Sequence, residues 1–297
     1  MKKKLKGVCF GEILFDVFLE HKKIGGAPLN VASRLNSLGA EVAIVSAIGS
    51  DANGEELMQY LNGVGINTDA IQVKENYPTG IVNVILNEKG NASYDISYPS
   101  AWDKIELTDL NTSIVAQSDF FVYGSLSSRD AISNATLKEL LKVAKYKIFD
   151  VNLRIPHYTK TNVFDLLLAA DFIKFNDDEL YEICQGQNSN LKSLEQNIKF
   201  IAEKTNTDTV CVTLGAHGAV LYYNKTFYRN SGFKVNVVDT VGSGDSFLAS
   251  LIINLLSGKD PQYAINFASA IGAIVAQNEG ANPVISPTEI DEFLTGF

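Results

Sequence analysis

The residues most able to do chemistry fall in one stretch, Asp239-Thr240-Val241-Gly242-Ser243-Gly244-Asp245-Ser246-Phe247. An alternating, β-branched run from Lys234 to Val238 precedes it and predicts a strand. After it comes a helical stripe of Phe247, Leu248, Leu251, Ile252, Leu255 and Leu256. Glycines in the turn let backbone amides approach a ligand closely. A helix N-terminus adds unpaired N–H donors and the positive end of the macrodipole, so the turn is an anion site. Asp245 lies inside that site. It is either a carboxylate that caps its own helix or a general base. A base there takes a proton from a hydroxyl while the amides of Gly242, Ser243 and Gly244 hold the charge of a transferring phosphoryl group. The helix N-terminus favours the ionised form of Asp245, which makes it a weak base on its own.

The elements that must position this turn alternate between apolar strands and amphipathic helices, the pattern of parallel βαβ units. Gly7 to Leu14 reads as one buried strand with Asp16 at its end. Gly25 and Gly26 turn the chain into a helix from Asn30 to Leu38, closed by Gly39. Gly80 to Leu86 and Ala92 to Tyr98 alternate about the turn signal Asn87-Glu88-Lys89-Gly90, which predicts a hairpin inserted into the βαβ rhythm. Further strands end at Asn152 and Arg154, at Lys174 and Asn176, and at Thr213 before Gly215 and Gly218. In an open parallel sheet ligands bind beyond the carboxyl ends of the strands, and these polar clusters share that edge. Each has a plainer explanation alone. Asn176 with Glu179 is a capping box, Arg154 a surface ion-pair residue, and Gly215 with Gly218 a β-turn.

Composition narrows the classes. The 297 residues are 46% apolar and 20% charged, the balance of a folded α/β chain, and the net charge of −9 argues against a nucleic-acid binder. Lys2-Lys3-Lys4 with Lys6 is too short a basic run for a nucleic-acid arm. Cys9 and Cys211 lie in apolar runs, and neither they nor Cys184 forms a zinc-type spacing with the three histidines. No apolar run has signal-peptide or membrane-span length, so a reduced, cytoplasmic setting is expected. Gly258-Lys259 lacks the other residues of a P-loop, and no G-x-G-x-x-G follows the first strand.

Two signatures carry a family resemblance. One is Gly25-Gly26-Ala27-Pro28-Leu29-Asn30-Val31-Ala32, with Gly39 and Gly49 beyond it; the other is the Asp239–Phe247 turn. With Asp150-x-Asn152-Leu153-Arg154 and Asn176-x-x-Glu179 between them, the chain resembles the ribokinase-like carbohydrate kinases, and most closely the fructokinase branch, from about Val8 to Pro287. The resemblance implies an α/β, ribokinase-like fold: a mostly parallel central sheet flanked by helices in one domain over residues 1–297. A small β lid is implied from about 14–24 and 79–98. Because Asp16 and Gly25 lie close together, the first part of that lid is short, and the Gly80–Tyr98 hairpin carries more of the closure.

The resemblance also implies roles. Asp245 becomes the catalytic base and the amides of Gly242, Ser243 and Gly244 the anion hole. Asp16, Gly25, Gly26 and Asn30 become the sugar clamp, with Arg154 near sugar and phosphates. Lys174, Asn176, Thr213, Gly215, Gly218 and Ser269 line the ATP site, joined by Gly242 and Gly244. Asn176 and Glu179 organise Mg2+ through water. Asp239, Val241 and Ala281, next to Gly280, support a monovalent cation such as K+. The implied reaction is ATP-dependent phosphorylation of a sugar hydroxyl, fructose first. Ribose, another ketose or acid sugar, and a nucleoside stay open as acceptors. A silent sugar- or nucleotide-sensing protein would lack the base or the anion hole, and both are present. A homodimer through the lid is the expected assembly.

Overall fold

Strand pairing follows the apolar segments. In the computed structural model, which describes residues 4–86 and 92–295, the chain opens with β1 (Lys6–Phe10), β2 (Leu14–Val17), β3 (Lys22–Gly25) and α1 (Ala27–Ser37). Then come β4 (Glu41–Gly49), α2 (Ala52–Gly63), β5 (Ile71–Lys74), β6 (Gly80–Leu86), β7 (Ala92–Ile96) and α3 (Asp109–Gln117). The middle is β8 (Phe120–Gly124), α4 (Ala131–Val143), β9 (Lys147–Asp150), α5 (Lys160–Ala169), β10 (Phe172–Asn176), α6 (Asp177–Gly186) and α7 (Leu194–Thr205). Last are β11 (Thr209–Thr213), β12 (Ala219–Tyr223), β13 (Thr226–Asn230), α8 (Ser243–Leu256), α9 (Pro261–Ala276) and α10 (Pro287–Thr295).

A nine-stranded sheet runs β13-β12-β11-β10-β9-β8-β1-β4-β5. It is parallel from β5 to β11, and β12 and β13 add antiparallel. Successive residues of a strand face opposite sides, so β8 sends Phe121 and Tyr123 into one core and Phe120 and Val122 into the other. Helices α3 to α7 cover the first face, and α1, α2, α8 and α9 the second. Both faces are dry, as a parallel sheet requires. This is the α/β architecture expected from the sequence.

A second, four-stranded sheet has the order β3-β2-β6-β7. Its strands coincide with the two inserted segments, and β6 and β7 are antiparallel as the alternation predicts. The turn expected at Asn87–Gly90 lies outside the described residues. Its seven-residue β6 outreaches the four-residue β2 and β3. Both of its stems are anchored. Asp51, the N-cap of α2, accepts from Thr79 N–H at 2.8 Å and Thr79 Oγ1 at 2.6 Å, just before β6. Beyond β7, Arg129 donates to the Ser97 carbonyl at 2.6 Å while paired in both arms with buried Asp103.

Three expectations are corrected. Gly7–Leu14 is not one strand. Gly11 has φ +135°, where only glycine sits easily, and the chain leaves the large sheet there to begin β2 in the small one. Asp16 therefore belongs to the small sheet. Lys234–Val238 forms no strand: after the edge strand β13 the chain leaves the sheet and does not pair along its free edge. Instead Val238 N–H bonds the Ala276 carbonyl at 2.8 Å, at the end of α9. The alternation there marks a crossing segment, with Val237 and Val238 mostly exposed. Elements β5, β13, α3 and α10, to which the sequence reading assigns nothing, run only four, five, nine and nine residues.

Candidate active site

The site lies where β1, β2 and the first turns of α1 and α8 converge. Gly26 is the N-cap of α1 at φ +109°, and a Cβ there would stand 2.5 Å from the Glu12 carbonyl oxygen. Only glycine lets α1 start so close to the β1–β2 crossing. One turn into α1, Asn30 donates from Nδ2 to Asp245 Oδ2 at 2.8 Å, and its Oδ1 accepts from Asn282 at 3.0 Å. Beneath them Arg34 locks α1 to α8 through Ser246 Oγ at 3.1 Å and the Pro283 carbonyl at 3.0 Å. A Cβ on Gly25 would meet Asp16 Oδ2 at 2.5 Å, so the second glycine makes room for the Asp16 carboxylate.

Three carboxylates share this corner: Glu12, Asp16 and Asp245. Burial pushes Glu12 up to about 7, and Asp16 and Asp245 each up to about 6. Asp150 adds to the rise at Asp245, and Asp239 to the rise at Asp16; the charge of Arg154 works against all three. This corrects the expectation that the helix N-terminus governs Asp245. With burial the largest cause of its raised pKa, Asp245 is a better base than a surface aspartate while still mostly ionised at neutral pH. Glu12 is 3% exposed and its Oε2 has no hydrogen-bond partner.

On the other side of Asp245 the charged groups are paired, with Asp150 Oδ2 buried without a partner of its own. Gly242 begins α8 at φ +76°, and a Cβ there would lie 2.4 Å from the Ala281 Cβ. The glycine turn is thus pressed against the Gly280-Ala281 loop. Ser243 Oγ donates to the Gly272 carbonyl at 2.9 Å, fixing the turn on α9. Lys174 lies beside Gly244, its Nζ 3.5 Å from where a Cβ would be. It pairs with Asp150 at 2.9 Å. Burial opposes the charge on Lys174, but Asp150 and Glu179 hold its pKa above the usual lysine range. The turn therefore combines helix-start amides with a fixed, buried ammonium.

The remaining predicted residues are placed as follows. Asn176 and Glu179 form the reciprocal capping box of α6, both bonds 2.8 Å. Glu179 Oε1 also accepts from Leu153 N–H at 2.9 Å, which ties the β9 loop to α6. Burial raises the Glu179 pKa against the pull of Lys174. Among the described residues, no group of three or more His, Cys, Asp or Glu could hold a metal ion. Thr213 donates to the Phe175 carbonyl at 3.3 Å. Gly215 has φ +56° with open space around it, whereas a Cβ on Gly218 would strike the Asn230 carbonyl at 2.0 Å. Ser269 is buried on α9 with an unpartnered Oγ. Arg154 makes no side-chain bond within the site: it is exposed and its guanidinium bonds the Leu153 carbonyl, while its charge still reaches Glu12, Asp16 and Asp245.

The pfkB family carbohydrate kinase model matches residues 6–289. The chain belongs to this family. Among its relatives is Fructokinase-2 of Oryza sativa subsp. japonica, 30% identical, with 97% of this chain and 93% of that protein covered. The crystal structure of fructokinase with bound ATP from Xylella fastidiosa superposes with a TM-score of 0.88 at 22% identity, 99% of each chain covered. A fructokinase double mutant from Vibrio cholerae O395, in its fructose-, ADP- and potassium-bound form, gives 0.85 at 22% identity and the same coverage. The fold is thus the ribokinase-like one that the signatures implied, and the protein is a sugar kinase.

Two acidic groups in this kinase's site escaped the sequence reading as functional residues. Glu12 follows the first strand in an apolar run and looks like a strand end; only its burial sets it apart. Asp150 was visible in the Asp150-x-Asn152 motif, but its partner, Lys174, is on the neighbouring strand, and pairing across β9 and β10 is not encoded locally. The signal available was that Asp150 ends β9 and Lys174 lies near the end of β10, on adjacent strands of one parallel sheet.

Proposed function

We propose that this kinase moves the terminal phosphoryl group of ATP to a hydroxyl of fructose, with Asp245 as the base. The observation that carries this is the Asp245 carboxylate. It is oriented by Asn30 at 2.8 Å, raised to about 6, and placed in the first turn of a helix whose glycine entry is flanked by the Lys174 ammonium. Sugar phosphorylation needs a hydroxyl deprotonated late and a loose transition state stabilised by charge. The carboxylate serves the first need; the Gly242–Gly244 amides and Lys174 serve the second. Asp16 and Asn30 offer acceptor and donor groups to adjacent hydroxyls, and Arg154 swings in from solvent to meet the sugar or the phosphates. Thr213, Gly215, Gly218 and Ser269 border the nucleotide, whose ATP-bound relative supports the choice of donor.

Mg2+ fits this site only as an ion carried by the nucleotide. Both oxygens of Glu179 already accept backbone N–H groups, so Glu179 and Asn176 would hold it through water. When bound, it neutralises phosphate charge. The smaller sheet acts as a lid that keeps water from the phosphoryl group. Tyr94 on it and Tyr98 just beyond β7 are more than half exposed, and a second copy would cover them. ATP consumption across a panel of sugars and nucleosides, with and without Mg2+, tests the reaction. The highest kcat/KM is expected for fructose. A clear preference for ribose, an acid sugar or a nucleoside would overturn the acceptor, and no ATP use with any of them would overturn the reaction. A monomer mass at all concentrations by light scattering would overturn the dimer.

A further inference from the structure

Asp239 opens the anion turn, and three parts of the chain meet on its carboxylate. Oδ1 accepts Val241 N–H at 3.0 Å, within the turn itself. Oδ2 accepts Gly280 N–H at 3.1 Å, from the loop on which Gly242 is pressed. The same Oδ2 faces Lys23 Nζ at 3.4 Å, from β3 of the smaller sheet, 216 residues away in sequence. Burial works against the Asp239 charge, yet these three donors hold its carboxyl below the usual range. Lys23 is directed to this point. Strand alternation sends its neighbour Lys22 the other way, to Glu56 at 2.6 Å and Asn53 at 2.8 Å. Phe18 flanks the Lys23 ammonium, its ring centroid 5.6 Å away.

The sequence reading placed a monovalent cation at Asp239, Val241 and Ala281, and a relative of the same fold was crystallised with potassium. The residues here do not fit that ion well. Both carboxylate oxygens are occupied by N–H donors, and a potassium ion beside Oδ2 would meet an ammonium of like charge. We infer that Lys23 is a positioning residue whose ammonium takes the place of the monovalent cation at Asp239, holding the anion turn in shape without potassium. The same contact links the smaller sheet to the turn at the phosphate side, so the two parts are charge-coupled before any ligand arrives.

This rests on reading Gly242–Gly244 as the phosphate site, and the test is chosen to separate the two. Wild type, Lys23→Met and Lys23→Arg are compared in equal concentrations of potassium chloride and tetramethylammonium chloride. ATP affinity is read by calorimetry and Tm without nucleotide by scanning calorimetry. Wild type and Lys23→Arg are expected to bind ATP equally in both salts. Lys23→Met should lose about tenfold in affinity in tetramethylammonium and regain it in potassium, a coupling of ordinary size. Its Tm should rise with potassium while that of wild type does not. The inference is overturned if wild type itself needs potassium, if Lys23→Met matches wild type in both salts, or if potassium fails to rescue it. If wild type bound no ATP in either salt, the phosphate-site reading would fail, and the Tm comparison would still decide the role of Lys23.

Discussion

The two sides of Asp245 differ in how far they are completed before a ligand arrives. Toward Gly244 the charged groups already have partners: Lys174 with Asp150, Glu179 with two backbone amides, Asp239 with two amides and an ammonium. Only Asp150 Oδ2 and Ser269 Oγ are buried there without one. Toward Glu12 and Asp16, carboxylates are desolvated without a cation on them, and the nearest arginine, Arg154, is turned to solvent. The first side is preorganised, so a polyanion meets fixed charge with little rearrangement. On the second side, hydrogen bonds remain to be made, and hydroxyl donors would relieve carboxylates that burial has left short of partners. Affinity for the nucleotide and selectivity for the sugar are thus expected to respond to different variables.

The sharpest way to break this contrast is at its boundary. Asp245→Asn should lower turnover by about 10²- to 10⁴-fold while ATP affinity, measured by calorimetry, stays near wild type. Because its folded pKa is raised to about 6, Asp245 contributes stability that is fully present below its unfolded pKa and lost as pH rises through about 6. Removing the charge should therefore raise Tm at neutral pH by roughly 6–12 °C, and a lower Tm at pH 7.5 would refute the desolvation account. Lys174→Met probes the completed side. It leaves Asp150 buried without its partner, and about 3–5 kcal/mol of stability should go, read by urea unfolding. A loss under ~1 kcal/mol would mean the pair is solvated.

The pH profile separates the sides next. Base and clamp must both be ionised, and both titrate near 6, so kcat/KM for sugar should fall by up to about a hundredfold per pH unit well below 6. ATP affinity should stay flat from there to pH 8.5, since Lys174 remains charged throughout. A sugar profile flat down to pH 5 would remove Asp16 and Asp245 from these roles. The smallest effect is expected from Arg154→Ala. It should raise KM about tenfold or somewhat more with no shift in Tm, because the side chain is exposed and bonds only its neighbour's carbonyl. A KM unchanged by the substitution would show that Arg154 never enters.

Much of this was legible in the residues. The alternation of apolar strands and helices announces a parallel sheet, and the two glycine signatures mark where α1 and α8 begin. The Asn176–Glu179 capping box is written in the local spacing and is found as written. Less legible were the breaks. Gly11 looks like any glycine in an apolar run until its positive φ turns the chain into a second sheet, and the alternating Lys234–Val238 segment leaves the sheet to run against the end of α9.

What the sequence determined by itself is local: periodicity, turn chemistry, and the amides that a glycine-flanked helix start exposes. Those depend on residues within one helical turn of each other. The tertiary structure alone decided which charges meet. Asn30 reaches Asp245 across 215 positions and Lys23 reaches Asp239 across 216, and desolvation at that junction lifts a carboxylate the helix dipole would have kept low. Burial and Coulomb terms depend on distance through space, and strand order, not sequence separation, sets that distance.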